Sequence, residues 1–187
     1  MYHSTFLVNR QMITDPGQIK SALMKYSSTD GTTFSDFFYR LEWYRIGISI
    51  PMDVYSTKEP LLKLVPECQL TGTGMLEDLS PDTDVYDFKI FIIPYKNTDK
   101  NEDLDHSFIN SWLQKKLGHN AKIIESELGP NNRIYYKTNP TVAIMEQIQS
   151  YTLRGKLKCK NLKKLDEIRQ KPIGYYHELG CGLLMIE

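Results

Sequence analysis

Apolar positions change period early in the chain. STFLVNR, 4–10, is a short apolar run of strand character, whereas in DPGQIKSALMKYS, 15–27, Ile19, Leu23 and Tyr26 recur at three- and four-residue spacing, as one face of a helix requires. Asp15 stands where an N-cap belongs and Pro16 at the first helical position. FFYRLEW (37–43), RIGISI (45–50) and LLKLV (61–65) follow as strand candidates between polar or proline-containing breaks. The first half therefore predicts one sheet with a helix laid across it. LEDLSPDTD, 76–84, with Ser80-Pro81 inside it, reads as the join between halves.

The second half repeats the order. DFKIFIIPY (87–95) predicts a strand, and DHSFINSWLQKKLG (105–118) predicts a helix with Phe108 and Trp112 four apart, Ile109 and Leu113 likewise, and Gly118 after the last turn. Strand patterns return in AKIIES (121–126), in RIYYKT (133–138) after a GPNN hairpin turn, and in SYTLRGKLKC (150–159). In the last of these Leu153, Gly155, Leu157 and Cys159 alternate with Arg154, Lys156, Lys158 and Lys160, which predicts a buried face and a basic face. NLKKLDEIRQ, 161–170, carries Asn161 as cap and Leu162, Leu165 and Ile168 inward; Pro172 ends it, and GLLMI (182–186) closes as a strand. The expected fold is α+β, two tandem ferredoxin-like (βαββαβ, RRM-like) domains at 1–84 and 85–187, the first without an obvious second helix.

Composition narrows the classes. Of 187 residues 41% are hydrophobic and 25% charged, which supports a packed core and excludes a disordered chain. Apolar runs are too short for a membrane span, and the opening MYHSTFLVNR lacks the basic-then-apolar order of a signal peptide, so a cytoplasmic location is expected. Cys68, Cys159 and Cys181 are odd in number and far apart, and are read as free thiols. Net charge is zero but uneven: 75–105 holds nine acids and three lysines, and 153–171 holds eight bases and two acids. The second stretch points to an anionic partner, with a solvated lysine face as the alternative.

The end of the chain, LRGKLKCKNLKKLDEIRQKPIGYYHELGCGLL (153–184), resembles CasE, the endoribonuclease subunit of type I-E Cascade in CRISPR systems, where an F-x-G-x-L strand precedes a helix and a G-x-G-x-x-K-x-x-G-x-G-L-L loop. SWLQKKLGHNAKI (111–123), DFKIFIIPYK (87–96) and the opening MYHSTFLVNR are similar to further blocks of that family. The resemblance implies two ferredoxin-like domains and binding of the CRISPR repeat RNA hairpin. It further implies cleavage at the 3′ base of the hairpin without a metal or cofactor, and retention in the complex beside a Cascade backbone subunit. The chemistry implied is attack of a ribose 2′-hydroxyl on the adjacent phosphate, which needs a base, an acid and stabilisation of the phosphorane.

The resemblance also exposes departures. Alignment from the first residue puts Lys20 where the family's catalytic histidine belongs and Gly17 where its tyrosine belongs, while His177 falls where the glycine-rich loop carries a lysine. A lysine ammonium is a poor proton acceptor at neutral pH unless burial or neighbouring cations change it, yet it stabilises an oxyanion and protonates a leaving oxygen. Lys20 and His177 are therefore the candidate catalytic residues. Candidate RNA contacts are Arg154, Lys156, Lys158 and Lys160 on one strand face, extended by Lys163, Lys164, Arg169 and Lys171. Arg133 and Lys137 flank two tyrosines on opposite faces, and Gly174, Gly180 and Cys181 lie in the loop. Pro172 replaces the loop's first glycine, Phe91 replaces an arginine of the 87–96 strand, and the stretch after it, YKNTDKNEDLDH, is acidic. Three functions stay open: a processing endoribonuclease, a non-cleaving RNA-binding Cascade subunit, and a family-derived protein that acts by protein contact alone.

Overall fold

The computed structural model describes residues 1–41, 47–61, 63–95, 104–137 and 145–186. The ends of the FFYRLEW and RIGISI segments and most of the acidic stretch, 96–103, lie outside the described residues. Two compact units form, but not by one cut in the chain. The first comprises Met1–Leu76, Ile134–Gln147 and His177–Gly180, and the second comprises Glu77–Arg133, Ile148–Tyr176 and Cys181–Glu187.

In the first unit β1 (Tyr2–Asn9) runs into a 3₁₀ turn (Pro16–Gln18) and α1 (Ile19–Leu23), followed by β2 (Phe37–Leu41), β3 (Ser49–Ser56) and β4 (Cys68–Met75). The sheet order is β2-β3-β1-β4, all antiparallel, with Phe6 opposite Met52 on β3 and Leu70 on β4. This is the ferredoxin-like order, with no helix between β3 and β4 among the described residues. Phe6, Val8, Ile19, Leu23, Ile50, Met52 and Val54 form its core, and the Tyr26 hydroxyl, just past α1, donates to the Cys68 carbonyl and accepts from Leu70 N at 3.0 Å. Burial pushes the Cys68 thiol up to about 12, and all three cysteines are free thiols, so Cys68 is packing rather than chemistry.

Of the LLKLV segment, Leu61 and Lys63–Val65 are not in a strand and lie between elements, with Leu64 81% exposed. The fourth strand is QLTGTGM and its leading Cys68, whose burial pattern shows no alternation beyond Leu70. An edge strand facing solvent on both sides needs no apolar rhythm.

On the face of this sheet opposite that core His3 Nε2 lies 3.1 Å and Arg40 Nη2 2.9 Å from the Asp53 carboxylate. Burial pushes the Asp53 carboxyl up, but the His3 hydrogen bond and the Arg40 charge outweigh it and hold the group below its ordinary 3.8. A carboxyl depressed on folding stabilises above its unfolded value and loses that contribution as pH falls through its folded one. Asp53→Asn is expected to cost roughly 2 kcal/mol at neutral pH. Thermal melts from pH 7 downward should show the gap to the unaltered protein closing only below pH 3.8; a gap independent of pH would refute this account.

The second unit holds β5 (Val85–Ile92), α2 (His106–Leu117), β6 (Ala121–Leu128), β8 (Glu146–Cys159) from Ile148 onward, α3 (Leu162–Arg169) and β9 (Leu184–Ile186), in the order β6-β8-β5-β9. That is a complete βαββαβ unit. An additional strand, β7 (Asn132–Tyr136), pairs with β8, so GPNN joins two strands that both lie against β8 and is not a hairpin turn between them. Asp105 caps α2 through Phe108 N at 2.7 Å, and Asn161 caps α3 through Lys164 N at 3.1 Å, the latter as the sequence predicts.

Opposite β8, β6 carries a bulge between Ile123 and Glu125, which presses its backbone onto Gly155. A Cβ at Gly155 would lie 2.1 Å from the Glu125 carbonyl oxygen and 2.7 Å from Ser126 Cα. Only glycine fits there.

Candidate functional site

Three stretches far apart in sequence meet in the first unit. The first is the start of α1. Asp15 Oδ1 accepts from Gly17 N at 2.8 Å while the Gln18 side chain accepts from Asp15 N at 3.4 Å, a capping box closed by Pro16 at the first turn position. Ile19 and Leu23 are fully buried, which leaves Lys20 on the exposed side of the helix.

The second stretch is a 3₁₀ turn, His177–Leu179, packed against both α1 and the Pro16–Gln18 turn. Tyr39 donates its hydroxyl to the Glu178 carbonyl, Leu41 N donates to the Gly180 carbonyl at 3.3 Å, and Gly180 N closes the turn on His177 O at 3.0 Å. Leu179, 1% exposed, anchors it. The turn follows Tyr176, the one non-glycine residue at positive φ (58°) among the described residues, a conformation that costs energy and accompanies functional sites. His177 is half-buried, and its Nε2 is buried without a hydrogen-bond partner. The third stretch is the end of β7, where Lys137 N donates to Asp15 Oδ2 at 2.9 Å. Lys20, His177 and Lys137 are thus carried by elements that touch one another. No local pattern announced the Asp15–Lys137 bond, which spans 122 positions.

The glycines of the C-terminal loop serve the protein itself. In the second unit Ile173 N donates to Gly182 O at 2.9 Å and Gly182 N to Phe91 O at 2.7 Å, which narrows the loop at its neck. A Cβ at Gly174 would meet the Ile93 carbonyl and the Trp112 ring at 3.1 Å each, and one at Gly180 would meet Leu41 N at 2.8 Å. Gly180 is buried and Cys181 is 1% exposed. Positive φ at Gly174, Gly180 and Gly182 therefore supports close protein packing, where direct phosphate contact was expected of Gly174, Gly180 and Cys181.

The expected basic face of β8 is exposed but charge-paired. Arg154 meets Glu127 at 3.1 Å, Lys156 meets Glu125 at 3.1 Å, both from β6, and Lys158 meets Asp84 at 2.9 Å; Lys160 has no ion-pair partner among the described residues. The result is a ladder of mixed sign. Beside it lies a cavity of about 520 Å³ lined by Asp87, Lys89, Glu125, Glu127, Arg154 and Met185, among others. Hydrogen bonding to Glu127 raises the Arg154 pKa, and hydrogen bonding to Glu125 raises that of Lys156. Arg169 does not extend the patch, because it is 3% exposed and bound to Asp166 at 2.7 Å and to the Glu77 carbonyl. Lys164 pairs with Glu167 at 2.8 Å.

On β7, Ile134 and Tyr136 point inward while Arg133, Tyr135 and Lys137 are exposed, so one of the two tyrosines is core, as alternation predicts. The outward side is a cation, an aromatic ring and a cation at strand spacing, with no ion-pair partner for either cation among the described residues.

No protein-family model matches the chain, and no curated protein matches it in sequence. Solved structures do. A crystal structure of the CRISPR-associated protein Cas6e from Escherichia coli K-12 superposes with a TM-score of 0.78 at 20% identity, over 100% of this chain and 98% of that one. The CRISPR endoribonuclease Cse3 bound to a 19-nucleotide RNA gives 0.76 at 16% identity over 100% of both chains. A chain of a CRISPR RNA-guided surveillance complex gives 0.70 at 13% identity, over 100% of this chain and 98% of that one. From end to end, the chain has the tandem ferredoxin-like fold of the Cas6e and Cse3 proteins.

Proposed function

We propose that the chain binds the stem–loop of CRISPR repeat RNA, cleaves the precursor at the 3′ base of that stem without a metal, and stays on the product beside a Cascade backbone subunit. The observation that carries this reading is the meeting of the α1 start, the His177 turn and the Lys137 end of β7 in one unit. The full-length likeness to an RNA-bound endoribonuclease and to a surveillance-complex chain supports it.

The reaction needs three groups. His177, which is half-buried, accepts the proton of the 2′-hydroxyl upstream of the scissile phosphate. The oxygen attacks phosphorus, the bond to the 5′-oxygen breaks, and Lys20 stabilises the charged phosphorane and protonates the leaving oxygen. The products are a 2′,3′-cyclic phosphate and a 5′-hydroxyl. Arg133, Tyr135 and Lys137 offer two phosphate contacts and a stacking surface along β7. Just past the end of β8, Lys160 is better placed to hold phosphate than Arg154, Lys156 and Lys158, which must first leave their carboxylates.

The test is incubation with labelled stem–loop RNAs of CRISPR-repeat type, in EDTA, with product ends analysed. Cyclic-phosphate-ended product from one site is expected. Salt-sensitive binding without cleavage assigns a non-cleaving guide-binding subunit instead, and no binding leaves protein contact, a role the mixed-charge β8 ladder would suit.

A further inference from the structure

We propose that Asp15 is a positioning residue for RNA: its carboxylate fixes the end of β7, and with it Lys137, against the turn that leads into the Lys20 helix. The inference rests on the RNA-binding reading above.

An N-cap needs one acceptor, and serine, threonine or asparagine supplies it as well as aspartate does. Asp15 uses two. Oδ1 takes Gly17 N at 2.8 Å, and Oδ2 takes Lys137 N at 2.9 Å. Only a carboxylate offers an acceptor on both sides, because the second terminal atom of asparagine is a donor and serine has one oxygen. The side chain is 5% exposed, so both bonds are shielded from water.

Gly17 belongs to the same arrangement. A Cβ there would lie 3.2 Å from Asp15 Oδ1 and 3.9 Å from the Lys137 carbonyl oxygen, so a larger side chain would crowd the junction. The missing side chain at 17 is thereby linked to the approach of β7. With Arg133, Tyr135 and Lys137 facing outward, an RNA strand following β7 reaches Lys137 at the point tied to the helix start.

The test is a double-mutant cycle read by RNA affinity across salt. Asp15→Ser keeps a capping oxygen and loses the bond to Lys137 N; Lys137→Ala removes the charge it positions. Each single variant is expected to bind the labelled repeat stem–loop about tenfold more weakly at 0.15 M salt, with the log–log salt slope reduced by about 0.7, one phosphate contact. The double variant should bind no more weakly than the weaker single. Amide hydrogen exchange at Lys137 should accelerate in Asp15→Ser. Losses that add, or a slope that Asp15→Ser leaves unchanged, overturn the positioning role while RNA binding stands. If the serine variant does not fold, Asp15→Asn enters the same cycle under the same criteria. Absence of binding by the unaltered chain is seen before any variant is compared, and overturns the reading beneath this one.

Discussion

Replacing His177 with alanine is expected to lower the single-turnover rate of RNA cleavage by between about 10² and 10⁴-fold, the usual contribution of a positioned general base. Binding should change little. The melting temperature should hold or rise, because a buried nitrogen without a partner costs about 1–3 kcal/mol and the substitution removes it. That pairing separates a functional histidine from a structural one, whose loss lowers stability first. Lys20, exposed on α1, should act on rate as well, but by charge stabilisation and leaving-group protonation. A cleavage rate within threefold of the unaltered chain in His177→Ala would falsify the proposed base.

Gly155→Ala is the substitution with the largest expected effect on stability. The added Cβ would sit 2.1 Å from a carbonyl oxygen of β6, and the atoms in its way are backbone within a paired ladder, which cannot swing aside as a side chain can. A loss on the order of 3 kcal/mol follows, or roughly 12–24 °C in the melting of the second unit. Gly74→Ala is the control, because a Cβ there meets nothing within 4 Å. Equal melting temperatures for the two variants would mean that the bulge relaxes and the close approach is not obligatory. Circular dichroism melts decide it.

Elements with strong periodicity or caps were legible in the sequence: the β8 alternation, the capped α2 and α3, and the Asp15-Pro16 helix start. LLKLV misled because an apolar run between Pro60 and Pro66 has the composition of a strand, and composition does not reveal that Leu64 stays in water. The true β4, rich in threonine and glycine and exposed along most of its length, carries no apolar signal. At the site, sequence located Lys20, His177 and Lys137 as separate candidates and had no means of bringing them together. The β8 lysines looked like a basic stripe because their carboxylate partners come from another strand and from the join at Asp84, and strand register is not written locally. Gly174, Gly180 and Cys181 could be singled out, but whether a glycine makes room for phosphate or for backbone depends on what stands opposite.

The His177–Gly180 segment binds the backbone of β2 through Leu41 N, and β2 is an outer strand of its sheet. The first half of the chain is therefore not a separable gene fragment. Cut at residue 84, it would keep all four strands and lose the tail that caps one of them, leaving Tyr39 and Leu41 on a bare edge. An uncovered edge templates pairing with a neighbouring copy, so such a fragment is expected to aggregate during synthesis unless the 177–180 segment is supplied with it.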